Sequence, residues 1–216
     1  MTDNTQLTGF DKIAALSAHF FSFIFSPLLV PTYGMILAAT LSYMAVLPAS
    51  TIVKVTLTIF AITCLLPLLA IGLLYKLGKL SDPGLNNQGE RTIPFIISAV
   101  SYLLAFGYLF MLRAPSWLTM FAGAGLVIVI ACCLINLKWK ISVHLAAMGG
   151  LVGLLVHLMV YGETLRPVLP WITATIICTG LVGTSRLILR RHTLGQVSAG
   201  TLLGLVVMIV MTMIHI

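Results

Sequence analysis

Long apolar runs alternate with short polar breaks along this chain. The first run covers about 18–47 and contains Pro27 and Pro31. Because each proline removes a backbone N–H donor, we expect this run to kink or to break into two pieces. Further apolar runs follow at about 52–75, 93–112, 117–137, 142–161, 168–189 and 193–214. Runs of about 20 apolar residues are long enough to cross a bilayer as helices. The pattern predicts an all-α membrane bundle of six to seven transmembrane helices.

Composition supports this membrane assignment. The 216 residues are 60% hydrophobic and only 8% charged, and the mean hydropathy is +1.12. We expect one transmembrane domain at 18–216, preceded by an interfacial segment at 1–17 that does not resemble a cleavable signal peptide. The four cysteines lie within apolar runs without metal-ligand spacing, so they are interpreted as packing residues. Nothing in the composition predicts a metal or another cofactor.

The charge is strongly asymmetric, with 12 Lys and Arg residues against 5 Asp and Glu residues. Two spans separate the polar loop at 76–91 from the break at 138–140, and two more separate that break from the one at 190–192. An even number of crossings returns the chain to the same side, so most basic residues converge at one face. The partner expected for such a face is an anionic lipid headgroup rather than a nucleic acid. The oligomeric state stays open.

Two interpretations fit a basic membrane face. One is the topological bias that retains Lys and Arg in the cytoplasm, and the other is a phosphate site. His144 and His192 lie at span ends on this face, and Ser142 adds a hydroxyl donor at the same level. Arg91 lies where a helix begins, close before Pro94, and unpaired N–H groups at helix starts favour anions. These details favour a site.

Three stretches resemble the signatures of the type 2 phosphatidic acid phosphatase superfamily. Ser185-Arg186, five residues, His192, three residues and Gln196 resemble the third signature, Ser-Arg-x5-His-x3-Asp. The stretch around Ser142 and His144 is similar to the second, Pro-Ser-Gly-His, and Arg91 with Pro94 to the first, Lys-x6-Arg-Pro. The three occur in the family's order and together cover roughly residues 76–204.

The resemblance implies a metal-independent phosphatase of the inner membrane that acts on a lipid phosphate or diphosphate. His192 would attack phosphorus and form a phosphohistidine, and His144 would protonate the leaving group. Gln196 would orient His192 in place of the family's aspartate. The implied phosphate-binding residues are Arg91, Arg186, Ser142, Ser185, Lys140 and Lys79, the last two as stand-ins for the first-signature lysine, because position 84 is a glycine.

The departures from the signatures leave other functions open. A glutamine cannot stabilise an imidazolium by charge, and Val143 replaces the glycine of the second signature. A catalytically attenuated or inactive relative that binds anionic lipid is therefore an alternative. A transporter is less favoured, because beyond His157 no ionisable residue is expected deep in a span.

Orientation divides the sequence arguments. The family resemblance implies a site that faces the periplasm of a bacterial cytoplasmic membrane, with a cytoplasmic C-terminus. Charge counting puts the same face in the cytoplasm. Basic residues retained for function raise the count on their face without reporting topology. With those residues set aside the charge difference shrinks, and we favour the periplasmic face.

Overall fold

A computed structural model describes residues 9–82 and 87–214, with only the backbone of Phe10. The α-helices in these ranges are α1 Gly9–Ile24, α2 Val30–Leu41, α3 Ala49–Phe60, α4 Leu66–Lys76, α5 Thr92–Met111, α6 Ser116–Asn136, α7 Val143–Val160, α8 Leu169–Ile188 and α9 Leu194–Thr212. The predicted all-α membrane bundle is confirmed. Within the described residues there are six helical segments long and apolar enough to span a membrane: Ala49–Lys76, Gln88–Met111, Ser116–Asn136, Val143–Val160, Leu169–Ile188 and Leu194–Thr212.

The first apolar run forms two helices rather than one span. α1 ends at Ile24 and α2 begins at Val30, with Pro27 in the connection and Pro31 in the first turn of α2. The predicted interruption is thus a break. At a rise of about 1.5 Å per residue, the 12 residues of α2 are too short to cross about 30 Å of hydrocarbon. The predicted boundary between residues 17 and 18 lies inside α1, and residues 1–8 of the predicted interfacial segment lie outside the described part of the chain.

The second run forms one long span with an irregular turn in its middle. α3 passes into a π-helical turn at Ala61–Leu65 and continues as α4, where Pro67 occupies the first turn. Proline has no N–H to donate to the carbonyl four residues earlier, and a widened turn accommodates that loss. The turn places Cys64 and Leu65 beside an internal cavity.

α7 lies at the centre of the bundle and packs most extensively against α9. The two helices approach backbone to backbone at glycines. A Cβ atom on Gly149 would collide with the carbonyl oxygen of Thr201, and one on Gly204 with the carbonyl oxygen of Ala146. Small residues at such crossings are usual in membranes, where association depends on close packing rather than on the hydrophobic effect.

The Gly204→Ala variant is expected to lower the free energy of unfolding by about 1–3 kcal/mol, the usual cost of overpacking. Its methyl group would meet the backbone of α7, which has no rotamer with which to move away. Gly180→Ala is the matched control, because a Cβ there meets nothing within 4 Å. Thermal unfolding in detergent compares the two, and equal midpoints would contradict the packing described.

Candidate functional site

An internal cavity of about 590 Å³ joins a basic end to an apolar wall. Four basic or titratable side chains line its polar end: Arg91, His144, Arg186 and His192. Ser22 and Ser26 add hydroxyl groups from the end of α1 and the following connection. The apolar wall includes Leu29, Phe95, Tyr102, Phe121, Ile128 and Met208. The cavity therefore offers one polar and one apolar compartment to the same ligand.

The four residues meet because each lies at the same end of the antiparallel spans. Arg91 immediately precedes α5, and His144 is the second residue of α7. Arg186 lies in the last turn of α8, and His192 lies in the turn between α8 and α9. Within that turn Arg190 adopts a positive φ of 50°. The structure brings these four residues together, as the sequence predicted. Their roles stay predictions.

Arg91 is held at its place by hydrogen bonds of the preceding turn, Gln88–Arg91. The Glu90 carboxylate accepts from the backbone N–H of Ser81 at 2.8 Å and from its hydroxyl at 2.7 Å. Gln88 and Asn136, at the end of α6, exchange two side-chain-to-carbonyl hydrogen bonds of 2.6 and 3.0 Å. The turn is thus tied both to the polar loop and to the bundle. Arg91 itself is only 6% exposed.

Arg186 brings an unsatisfied donor to the same place. It is 8% exposed, and its Nε atom is buried without a hydrogen-bond partner among the described residues. The Oγ atoms of Ser22 and Ser142 are in the same state within the described part of the chain. Buried polar atoms are normally satisfied, so the orphaned donors of Arg186 and Ser22, which both line the cavity, indicate room for a polar ligand there.

His192 is oriented by a hydrogen bond to the start of α9. Its Nδ1 lies 3.1 Å from Oε1 of Gln196, the residue that replaces the aspartate of the family signature. The ring is 8% exposed and lines the cavity. Burial, then Arg186, and to a lesser degree Arg91 and Lys140, lower the pKa of His192 to about 4, although the bond to Gln196 acts in the opposite direction. The ring is therefore neutral at physiological pH.

His144 is held by α1. Its Nε2 lies 3.1 Å from the backbone carbonyl oxygen of Ser22. A carbonyl only accepts, so Nε2 carries the proton of this hydrogen bond. In neutral His144 the other nitrogen, Nδ1, is then a lone-pair acceptor. The sequence did not predict that Ser22 contacts His144. The contact uses a backbone carbonyl, which every residue has, so no residue type indicates it.

The other predicted phosphate-binding residues occupy different positions. Lys140 lies in the connection before α7, and its pKa is lowered by burial and then by the charges of Arg91, Arg186 and Arg191. Ser142 is fully buried at the start of α7, and its backbone N–H donates to the carbonyl of Gln196 at 3.4 Å. Lys140 and Ser142 thus adjoin the cluster, although neither is among the residues that line the cavity.

Lys79 and Ser185 are not brought into the cavity. Lys79 is exposed, and its charge is not among those that shift the pKa of His192 or Lys140. The hydroxyl of Ser185 donates to the carbonyl of Leu181 within α8 at 2.7 Å. Of the two stand-ins for the first-signature lysine, the structure therefore places Lys140 near the cluster. Position 84, where that lysine would lie by spacing, is outside the described residues.

His157, on α7 near the opposite end of the bundle, lies in an aromatic cluster. Its ring stacks on Tyr161 at a centroid distance of 4.7 Å and lies 6.2 Å from Trp117. These contacts account for its burial by packing. In the described ranges, no three His, Cys, Asp or Glu side chains come together as a potential metal site.

The chain matches no protein-family model, no curated protein and no solved structure. The site geometry and the residues themselves therefore carry the functional argument.

Proposed function

We propose that this protein is an integral-membrane phosphatase that hydrolyses a lipid phosphate or diphosphate. The observation that carries the proposal is that one cavity has a polar end with two arginines and two histidines and an otherwise largely apolar wall. Fixed cations stabilise the charge that develops on a transferring phosphoryl group. An apolar wall beside them suits a hydrocarbon chain.

Access from the bilayer supports a lipid substrate over a soluble one. Phe23 of α1, Leu65 of the π-helical turn and Leu68 of α4 all line the cavity, and all three side chains are exposed. These positions lie within apolar segments of the chain. A lipid could therefore enter sideways between α1 and the long span, keeping its tail in hydrocarbon while its headgroup reaches the cations.

In the first step, the lone pair on Nε2 of His192 attacks phosphorus. The N–P bond forms as the ester P–O bond breaks, and the electron pair of that bond stays on the leaving alkoxide. Arg91 and Arg186 bind the phosphoryl oxygens. His144 delivers a proton from Nδ1 to the alkoxide. Nδ1 of neutral His144 carries no proton, so it must first receive one. A phosphate monoester bound as its monoanion can give its proton to Nδ1, since the second pKa of such a phosphate is about 6.

In the second step, water attacks the phosphohistidine. The N–P bond breaks, its electron pair returns to Nε2 of His192, and inorganic phosphate leaves. Nδ1 of His144, which gave up its proton in the first step, accepts one from the attacking water. Nδ1 of His144 then passes this proton to the departing phosphate, which leaves as its monoanion, and the cycle is closed with both rings neutral.

Phosphate release by the detergent-purified protein tests this function. The panel contains phosphatidic acid, phosphatidylglycerophosphate, undecaprenyl diphosphate and lipid A, with glycerol phosphate as the soluble comparison, each with and without EDTA. We expect release from at least one lipid, little from glycerol phosphate, and no loss of activity with EDTA. Release from none of the lipids would overturn the proposal.

The alternative is an attenuated relative that binds anionic lipid without turnover. The neutral Gln196 beside His192 favours it, because an aspartate would stabilise a positive imidazole and glutamine does not. Lipid binding measured alongside the panel distinguishes the two. Binding with no phosphate release would support the binding protein, and release would support the phosphatase.

We also propose that the protein resides in a bacterial cytoplasmic membrane with the active site on the periplasmic side and the C-terminus in the cytoplasm. One support is the family resemblance. The other is that the cations gather at one proposed site, so their number on that face is a weak indicator of topology. A reporter fused after Ile216, which lies outside the described residues, should be active only in its cytoplasmic form. Activity of a periplasmic reporter at this position would reverse the orientation.

A further inference from the structure

Two aromatic side chains close the apolar end of the main cavity, the one of about 590 Å³. Tyr102 of α5 and Phe121 of α6 line this cavity, and together with Pro31 of α2 they also line a second void of about 10 Å³. The second void extends toward Met35 and Leu109, whose side chains are fully buried. A side chain that borders two separate voids forms part of the wall between them. Tyr102 and Phe121 therefore form an aromatic floor of the main cavity.

Both rings of the floor pack directly against glycines of a neighbouring helix. A Cβ atom on Gly125 of α6 would collide with the Tyr102 ring, and one on Gly34 of α2 would collide with the Phe121 ring. Carbon atoms in contact normally lie about 3.5–4 Å apart, so a side chain at either glycine would have to displace the ring. The position of the floor, and with it the depth of the main cavity, therefore depends on these glycines.

The floor lies near the middle of the spans. Arg91, at the basic end of the main cavity, immediately precedes α5, and Tyr102 is the eleventh residue of this 20-residue helix. A rise of about 1.5 Å per residue separates the two positions by about 16 Å along the helix. The hydrocarbon core of a bilayer is about 30 Å thick, so this depth is about that of one leaflet. The distance from the cations to the floor is therefore about the length of one lipid tail.

The space between the cations and the floor suits one hydrocarbon chain. The side chains around it are largely apolar and include Phe95, Ile128 and Met208. A volume of about 590 Å³ lies within the range of about 300–1,000 Å³ that is usual for sites that hold a single ligand. Carbon–carbon bonds of about 1.5 Å that meet at about 111° advance a staggered chain by about 1.25 Å per bond. About 13 carbons therefore reach from the cations to the floor.

We propose that the aromatic floor of Tyr102 and Phe121 sets the length of the lipid chain that the bundle accepts, and that Gly125 fixes the position of Tyr102. The inference rests on the proposed phosphatase function, whose substrate it narrows to a lipid phosphate with one chain of about 13 carbons inside the bundle. The sideways opening admits the lipid, and a second chain, where the lipid has one, stays in that opening toward the bilayer. A longer inner chain has to bend against the two rings, which weakens the binding of its phosphate to Arg91 and Arg186.

Two substitutions should move the length limit in opposite directions. Tyr102→Ala removes the ring and joins the main cavity to the void behind it, so longer chains should fit. Gly125→Ala places a methyl group where the Tyr102 ring lies, and the void of about 10 Å³ behind the ring is too small to receive the displaced ring. The ring should therefore move into the main cavity and exclude chains that the wild type accepts.

Phosphate release from single-chain alkyl phosphates of roughly 8 to 20 carbons measures the limit. Detergent micelles take up longer chains more strongly, so variant and wild type are compared at each chain length. The ratio of kcat/KM for Tyr102→Ala to that of the wild type should rise about 10-fold or more across the limit, and the ratio for Gly125→Ala should fall by a similar factor. A variant that is only destabilised changes this ratio equally at all lengths. Ratios that do not depend on chain length would overturn the proposal.

Control variants separate length selection from general disturbance. Tyr102→Phe keeps the ring and should keep the wild-type limit. Tyr108→Ala removes a tyrosine of the same helix that is not among the residues lining either void, and Gly107→Ala adds a methyl group that meets nothing within 4 Å. Neither should alter the dependence on chain length. If Gly125→Ala does not fold, Phe121→Ala takes its place and should admit longer chains, as Tyr102→Ala does.

A photoreactive probe locates the end of the chain without any turnover. The probe is an alkyl phosphonate of about 13 carbons with a diazirine at the chain end, and its C–P bond resists hydrolysis. Irradiation of the bound probe should label Tyr102 or Phe121, as identified by mass spectrometry of the peptides. Labels confined to the exposed side chains of Leu69 and Leu103 would place the chain outside the cavity and contradict the proposal. Labelling of the floor without phosphate release from any lipid would support the chain site and reject only the phosphatase function.

Discussion

Replacement of His192 by alanine is expected to reduce phosphate release from every lipid substrate to the background rate. The loss should be on the order of 10⁶-fold, as found when a covalent nucleophile is removed from a serine protease. The physical reason is that the variant removes the Nε2 lone pair that would form the bond to phosphorus, from a ring that lines the cavity together with Arg91 and Arg186. The measurement is phosphate release per mole of protein under substrate saturation.

His19→Ala provides the matched control for this variant. His19 is exposed on α1 and does not line the cavity, so its removal should leave the rate unchanged. Equal thermal midpoints for the two variants would show that loss of activity is chemical rather than structural. A His192→Ala protein that retains activity within a few-fold of wild type would exclude a phosphohistidine on this residue.

The Arg186→Gln variant is expected to lower kcat about 10²- to 10³-fold, the range typical of removing one donor that stabilises transition-state charge. Arg186 is buried at the cavity, and its Nε has no partner within the described part of the chain, so a phosphoryl oxygen is a natural acceptor. Because the interaction strengthens as charge develops, KM should change much less than kcat.

Two comparisons make this result specific. Arg166→Gln removes the same charge from an exposed arginine outside the cavity and should have no effect on kcat. Arg186→Lys keeps the charge but loses the planar fork of donors, so its rate should fall between those of the wild type and Arg186→Gln. A large rise in KM with unchanged kcat would instead assign Arg186 to ground-state binding.

The two variants address different parts of one arrangement. His192 supplies the bond-forming electron pair, whereas Arg186 supplies charge that is fixed before the substrate arrives. In a buried site such charge is effective because little water screens it. Burial of these charges is unfavourable when no ligand is bound. The same burial would make the charges effective in phosphoryl transfer.

The sequence by itself determined the membrane architecture. Span length and apolarity are properties of a continuous stretch, because each helix must cross the hydrocarbon and satisfy its own backbone. The interruption at Pro27, the polar loop before Arg91 and the start of a helix after Arg91 were predicted for the same local reasons. The sequence also predicted the shared face of Arg91, His144, Arg186 and His192, because counting spans needs no knowledge of how helices pack.

The tertiary structure decided which atoms meet. The carbonyl of Ser22 reaches His144 only because α1 packs beside α8 and its end lies at the cavity, and a backbone carbonyl has no residue signature. Lys140 rather than Lys79 adjoins the cluster, although both were candidates from the sequence. These contacts depend on the rotation and separation of neighbouring helices, which are set by close packing at positions such as Gly204 and not by the hydrophobicity of each helix alone.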